Sequence, residues 1–207
     1  MTRDYLISTI EMECPICDKF HSLEQRKRIT QAIVKDETVD YEEVYFLCPL
    51  SDEDENEFVP AGLMDKNLLN ASDAYRQKNG LLTSYDISDI RGYYGLTQSD
   101  FSALLGWGDV TVTRYESKTI QDETYDRLMR MVYKNPMFAL ECIDKYKNRF
   151  VADKYTKIRK NITKKVEEVG NLYLKKQEIN SLYVNFEDEN ELNGYRILNI
   201  EKVARNS

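Results

Sequence analysis

The sequence predicts an α+β chain in three parts. A small β domain with a following helix occupies residues 1–80, a five-helix domain 83–147, and a helical segment with a terminal β-hairpin 148–207. Three observations carry this reading. A Cys-Pro-x-Cys knuckle at Cys14–Cys17 is answered by Cys48-Pro49 across a stretch rich in β-branched and aromatic residues. Amphipathic segments with cap and stop residues succeed one another through 83–147. Eleven Lys or Arg between Lys145 and Lys176, against Asp153, Glu167 and Glu168, then precede two alternating segments.

In the first part, Gln25 to Val34 and Glu37 to Cys48 read as strands around a Lys35-Asp36-Glu37 turn. The second strand carries Val39, Tyr41, Val44, Tyr45 and Phe46, residue types that suit a pleated surface. Met64 to Lys78 reads as a helix, with Leu68, Leu69, Ala74 and Tyr75 at helical spacing and Gly80 as its stop. Thr83 or Ser84 caps the next helix, which turns Ile87 and Ile90 inward and ends by Gly95. Thr97 is an N-cap, and Asp100 takes the acidic position of a capping box. The helix it opens runs an apolar face through Phe101, Leu104 and Leu105 to a turn at Gly106. A further helix spans about Asp109 to Ser117, with Val112 and Tyr115 inward. Asp122 caps a segment holding Tyr125, Leu128, Met129 and Val132. Asn135-Pro136 breaks that segment, and Pro136 suits the first turn of a last helix through Ala139, Leu140 and Ile143, with Cys142 in its core. The basic stretch beyond reads as helix broken near Gly170. Ile179–Phe186 and Tyr195–Val203 then alternate like two strands, with Asn193-Gly194 as a turn pair.

Composition excludes several classes. A chain of 207 residues with 42% hydrophobic and 31% charged residues is ordinary for a globular protein. No run of about 18 apolar residues is present, so no membrane span is expected, and MTRDYLIST lacks the apolar core of a signal peptide. The expected compartment is the cytoplasm, where four cysteines stay reduced and suit metal better than disulfides. A net charge of −7 argues against a broad polyanion binder but leaves a local nucleic-acid surface open. There is no phosphate-cradling Gly loop and no metalloprotease motif. The lone His leaves no Ser-His or Cys-His dyad except Cys17/His21, too close in sequence to persuade. The chain reads as a non-enzyme.

Residues 96–118 read as a helix-turn-helix: a buried scaffold helix, a sharp Gly turn, and a second helix with a polar outer face. Phosphate contacts would place such a unit on double-stranded DNA and base-edge contacts would specify sequence. The expected DNA-facing residues are Gln98, Asp109, Val110, Thr111, Thr113, Arg114 and Lys118. Arg114 can donate two bonds to a guanine or clamp a phosphate, and Thr111 and Thr113 supply hydroxyls and methyls. Asp109 reads as a helix cap or an acceptor from a cytosine amine, and Lys118 as a phosphate contact. The stretch resembles the XRE-type repressor domain, whose pattern runs Leu-Thr-Gln, a small residue, Leu-Gly, then Thr-Ile-Ser-Arg-Trp-Glu. Here Thr111-Val112-Thr113-Arg114-Tyr115-Glu116 keeps its second half, and the match covers about residues 84–140.

Cys14-Pro15-Ile16-Cys17 has the form of a zinc knuckle, in which two thiolates from one tight turn chelate a tetrahedral metal. The facing turn, Cys48-Pro49-Leu50-Ser51, carries Ser where a fourth thiolate would stand. Three readings remain open. His21 completes a Cys3His site; or the metal is lost and the cysteines are small buried apolar residues; or Asp18 or the acidic run at 52–57 supplies a carboxylate. A zinc-ribbon-like domain followed by the XRE-type domain resembles the MqsA (YgiT-type) antitoxins over about residues 12–145. It is closer still to antitoxin-like proteins of bacteria and phages that share the stretches seen here as Cys14–His21 and Asp52–Phe58. The resemblance implies a homodimer that binds a palindromic operator and represses its own promoter, with an N-terminal domain that holds a protein partner such as a toxin. Ser51 departs from the pattern and puts the metal in question. The acidic run suits a basic partner surface or a solvated loop. The basic segment suits phosphate contacts or an ordinary exposed helix face.

Overall fold

A computed structural model describes residues 4–51 and 56–193, with side-chain surroundings through residue 177. The fold is α+β: a four-stranded antiparallel sheet in the order β1-β2-β3-β4 and, among the described residues, seven α-helices. One compact unit ends at Ile162, and a second begins at Thr163.

The sheet comprises β1 (Asp4–Glu13), β2 (Phe20–Val34), β3 (Glu37–Leu47) and the two-residue β4 (Glu57–Phe58). Lys35 and Asp36 turn the β2–β3 hairpin with φ of 48° and 65°, two left-handed residues in a row, as a two-residue loop needs to match strand twist. The sequence reading omits β1 and starts β2 five residues late. DYLISTIEME scatters Tyr5, Leu6, Ile7, Ile10 and Met12 over both faces, and a bulge between Leu6 and Ser8 breaks the alternation that marks a strand.

Helix α1 (Ala61–Lys78) covers the outer edge of β3. The Asn67 side chain accepts from the Val44 N–H at 3.0 Å and donates to the Val44 carbonyl at 2.8 Å. Asn70 donates to the Glu42 carbonyl and Lys78 to that of Thr38. Side chains of a helix thus satisfy an edge that would otherwise invite another strand. Gly80 (φ 66°) stops the chain as expected.

Helices α2 (Ser84–Tyr93), α3 (Gln98–Leu104), α4 (Thr111–Ser117), α5 (Glu123–Lys134) and α6 (Pro136–Lys145) match the five expected in 83–147. Thr83, Thr97 and Asp122 act as the caps expected of them, and Asn135, expected only as part of a helix break, caps too: each accepts backbone N–H bonds at a helix start. The full capping box forms at Thr83/Asp86. At Thr97, the Asp100 carboxylate instead accepts from the threonine hydroxyl and pairs with Lys154 at 2.6 Å. The core joins Ile87, Phe101, Leu104, Val112, Met129, Val132 and Ile143 to Ile158 and Ile162 of α7. Cys142 lies in that core, where burial pushes its thiol pKa up.

After a short 3-10 turn at Lys147–Arg149, α7 runs over Ala152–Asn193. It corrects two expectations. Gly170 does not break it: a mid-helix Gly costs about 1 kcal/mol, too little to end so long a helix. Ile179–Phe186 is helix and not strand. Ile179, Leu182, Tyr183 and Phe186 also recur at helical spacing, and that period prevails over the alternating one. The partner segment, Tyr195–Val203, lies outside the described residues. Among the described residues, no helix is long and apolar enough to cross a membrane.

Candidate metal centre and nucleic-acid interface

Cys14 follows the last residue of β1, and Cys17 closes the tight turn that leads into β2. The Cys14 N–H donates to the Lys19 carbonyl and the Asp18 N–H to the Cys14 carbonyl, both at 2.9 Å, with Asp18 at φ 52°. Cys48 follows β3, held by its N–H to the Asn56 carbonyl at 2.9 Å. Because β1, β2 and β3 are neighbours, both cysteine turns fall at the same end of the sheet. His21, the second residue of β2, stands opposite Met12 in the register and so faces both turns.

The four residues Cys14, Cys17, His21 and Cys48 meet there, their ligand atoms all within 4.8 Å of one another. His21 Nε2 lies 3.3 Å from Cys17 Sγ and 3.6 Å from Cys48 Sγ, and the two sulfurs are 3.8 Å apart. Tetrahedral zinc, with Zn–S near 2.3 Å and Zn–N near 2.0–2.1 Å, requires edges of about 3.8 Å between sulfurs and about 3.5 Å between sulfur and nitrogen. These three separations, among Cys17, His21 and Cys48, fall within a few tenths of an ångström of those values, with Cys14 Sγ within 4.8 Å of each. His21 Nδ1 sits 2.9 Å from the Ser22 carbonyl, which can only accept, so Nδ1 carries the proton and Nε2 presents its lone pair to the sulfurs. That is the tautomer a metal needs. The site is thus compatible with zinc.

The thiols themselves are unevenly disposed toward charge. Burial raises the Cys14 pKa, but hydrogen bonds from the backbone N–H groups of Cys17 and Ile16, with His21 and Cys48, outweigh it and bring it down to about 6. Burial pushes Cys48 up, and the neighbouring thiols add to that, so a second negative charge here calls for a cation. Met12, Ile16, Leu23, Phe46, Phe58 and Leu63 pack around the cluster. Of the alternative ligands, Asp18 does not join it. Glu57 is engaged by Arg28 at 2.7 Å, and residues 52–55 lie outside the described residues.

The α3–turn–α4 region is built around Gly106, whose φ is 73° and whose added Cβ would stand 2.5 Å from Tyr146 Cζ. Only glycine fits both demands. Val112 is fully buried, and its N–H donates to Ser102 Oγ at 3.2 Å. Tyr115 packs edge-on against Trp107 and Tyr125, with burial pushing its pKa up to about 12. On the other side Asp109, Val110, Thr113, Arg114 and Lys118 are exposed and Thr111 half-buried. Neither Arg114 nor Lys118 has a side-chain partner among the described residues.

Two expectations change here. α4 begins at Thr111, so Asp109 is not its cap: Val110 takes that position without a side-chain bond, and Asp109 accepts from Arg149 at 3.3 Å. Gln98, expected to point its amide toward the DNA backbone or an adjacent base, is bonded within the protein. Its Oε1 accepts from the Thr113 hydroxyl at 3.0 Å and its Nε2 donates to Glu116 at 2.7 Å, the same Glu116 that Arg91 grips at 2.7 and 3.1 Å. Sequence reasoning missed Arg91 altogether. Its signal is slight: one basic residue in the last turn of α2, 25 positions before its acidic partner. No protein-family model matches the chain, and no curated protein matches it in sequence.

Proposed function

We propose that this chain is a sequence-specific DNA-binding transcriptional repressor, an antitoxin-like autoregulator that meets a palindromic operator as a homodimer. In this reading α3–turn–α4 is an XRE-type helix-turn-helix and α4 is its reading helix. The observation that carries it is the division of labour on α4. Val112 is fully buried and Glu116 is locked by Arg91 and Gln98, while Arg114 stands exposed and unpaired beside Thr113. A free guanidinium on a rigidly seated helix suits a bidentate contact to a guanine edge. Gln98 then acts mainly by fixing Thr113. Lys118 adds a phosphate contact, and Asp109 is offset by Arg149.

Zinc fills the Cys14–Cys17–His21–Cys48 cluster in this proposal, supplying the sheet end with a structural cross-link and no chemistry of its own. Titration of a duplex taken from directly upstream of the chain's own reading frame tests the DNA reading. Arg114→Ala should weaken binding by about 1–3 kcal/mol while leaving a shuffled duplex unaffected. Equal affinity of the wild-type chain for both duplexes would discard it.

A second reading is a protein-interaction module that neutralises a partner through residues 1–80 or the C-terminal tail, with DNA binding secondary, and its first route has one specific support. The outer edge of β1 pairs with no described strand, and Tyr5, Leu6, Ile7 and Ile10 beside it are exposed. Co-purification with the product of an adjacent reading frame, abolished by Ile10→Lys, would favour it.

A further inference from the structure

Helix α1 meets different neighbours at its two ends. Near its start Leu63 packs on the cysteine cluster, and Asn67 and Asn70 hold the edge of β3. Near its end Arg76 is the largest of the fully buried side chains among the described residues. Its Nη2 donates to the Tyr115 carbonyl at 2.6 Å and to the Thr119 carbonyl at 2.8 Å. Nε donates to Gln121 Oε1 at 3.0 Å, and Nη1 to Asp73 Oδ1 at 2.5 Å. Asp73 in turn accepts from the backbone N–H and the hydroxyl of Ser84, where α2 begins.

The Tyr115 and Thr119 carbonyls lie at the end of α4 and just beyond it, where no further helical turn takes them up. With seven residues α4 is too short to hold itself, and Val110 gives its start no side-chain cap. Arg76 supplies from another element what the sequence of α4 lacks: a rigid fork of donors, and a positive charge at the negative end of the helix.

We propose that Arg76 is a positioning residue for DNA reading: it sets the tilt and rotation at which Thr113 and Arg114 present themselves, so the β-sheet layer takes part in sequence discrimination without touching DNA. This rests on the DNA-binding reading above. Arg114 directly precedes Tyr115, so a shift of the Tyr115 carbonyl carries the Arg114 backbone with it. Base-edge bonds depend on orientation and phosphate attraction on charge, so loosening α4 costs discrimination and leaves non-specific affinity nearly intact.

The test compares the full-length chain with Arg76→Lys, which keeps the charge and loses the fork. A milder variant, Ser84→Ala, removes one bond that orients Asp73 and keeps Arg76. Each is titrated with the upstream duplex and with a shuffled duplex of equal composition, and amide hydrogen exchange is followed on the free protein. In Arg76→Lys, exchange at the Ser117, Lys118 and Thr119 amides should rise about ten-fold or more. Preference for the upstream duplex should fall by about ten-fold, with less than about two-fold change on the shuffled one. Ser84→Ala should show the same pattern at about two- to three-fold, and it decides the matter if Arg76→Lys does not fold. Unchanged exchange at these amides overturns the proposal. So does faster exchange with undiminished preference, because α4 would then loosen at no cost to reading. A wild-type chain that prefers neither duplex overturns the DNA reading instead, and the exchange data still show whether Arg76 seats α4.

Discussion

The sheet end and the helical layer bury apolar surface on very different scales. Around the cysteine cluster the buried residues are Cys14, Leu23, Phe46 and Cys48, so half of that core is thiol. The helical core gathers sixteen buried residues, from Leu82 to Ile162. That cluster, even with Val39, Val44, Tyr45 and Ala71 buried elsewhere between β3 and α1, offsets less of the entropy of ordering its strands than sixteen clustered residues, which can support a small domain. The contrast teaches that apolar packing alone can carry one end, whereas the other gathers a thiol–imidazole cluster compatible with zinc, which the proposed cross-link would use.

Removing the cross-link should therefore have the largest effect, and on one side only. Structural zinc in small domains contributes apparent binding energies of about 10–16 kcal/mol near neutral pH. Protein purified without chelator should hold about one equivalent of zinc. A strong chelator, or Cys48→Ser, should abolish the strand signal in far-UV circular dichroism while the near-UV signal of Trp107 in its tyrosine cluster persists. Less than about a tenth of an equivalent of metal, or simultaneous loss of both signals, would erase the distinction between the two ends.

Within the helical layer the most sensitive backbone position is Gly106. Alanine there must adopt φ 73° and displace the Tyr146 ring from 2.5 Å. Gly106→Ala should destabilise by about 2–4 kcal/mol in denaturant titration, the sum of backbone strain and overpacking. Gly62→Ala in α1 is the matched control, since a Cβ there meets nothing within 4 Å, and it should be neutral or stabilising by up to about 1 kcal/mol. A similar loss at both glycines would mean that the Gly106 turn is not the tight point of this layer.

The same contrast explains which parts of the fold are legible in the sequence. Helices α2, α3, α5 and α6 announce themselves through Thr83, Thr97, Asp122 and Asn135-Pro136, because capping is a bond between residues two or three apart. The metal cluster was half legible. The knuckle is local, but choosing His21 over Asp18 or the acidic run depends on the register that sets His21 opposite Met12. The ties that seat α4 were not legible. Arg76 meets the Tyr115 carbonyl from 39 residues away, and any buried arginine in an amphipathic helix looks exposed on paper. Segments with two periods, such as Ile179–Phe186, offer both answers at once, and the chain chose helix.

A smaller effect tests the caps that made the helical layer legible. Thr97→Ala removes the acceptor for the Asp100 N–H and a donor to its carboxylate, and it should cost about 1 kcal/mol with α3 fraying first in hydrogen exchange. Exchange unchanged across α3 would shift the credit for α3 from its cap to the packing of Phe101 and Leu104.

Acid should separate the two ends with the least perturbation. Asp144 accepts from Arg159 and from the Tyr155 hydroxyl, and these bonds, that of Arg159 foremost, hold its pKa below the usual carboxylate range. A carboxylate whose folded pKa is depressed stabilises fully above its unfolded value, near 3.9, and loses that contribution only as pH falls through the lower folded value. From pH 7 to 5 Asp144 is ionised in both states, so this link between α6 and α7 gives stability no slope. Metal ligands behave otherwise, because protons compete with zinc for thiolate and imidazole over that same interval. Lowering the pH to 5 should release zinc and weaken the strand signal while the thermal midpoint of the helical layer stays within about 2 °C. Asp144→Asn, an exposed pair, should lower that midpoint only slightly at pH 7, and by less still as pH falls through the lowered folded value of the wild-type carboxylate. Parallel acid loss of both signals would mean that the helical layer leans on the sheet far more than its sixteen-residue core suggests.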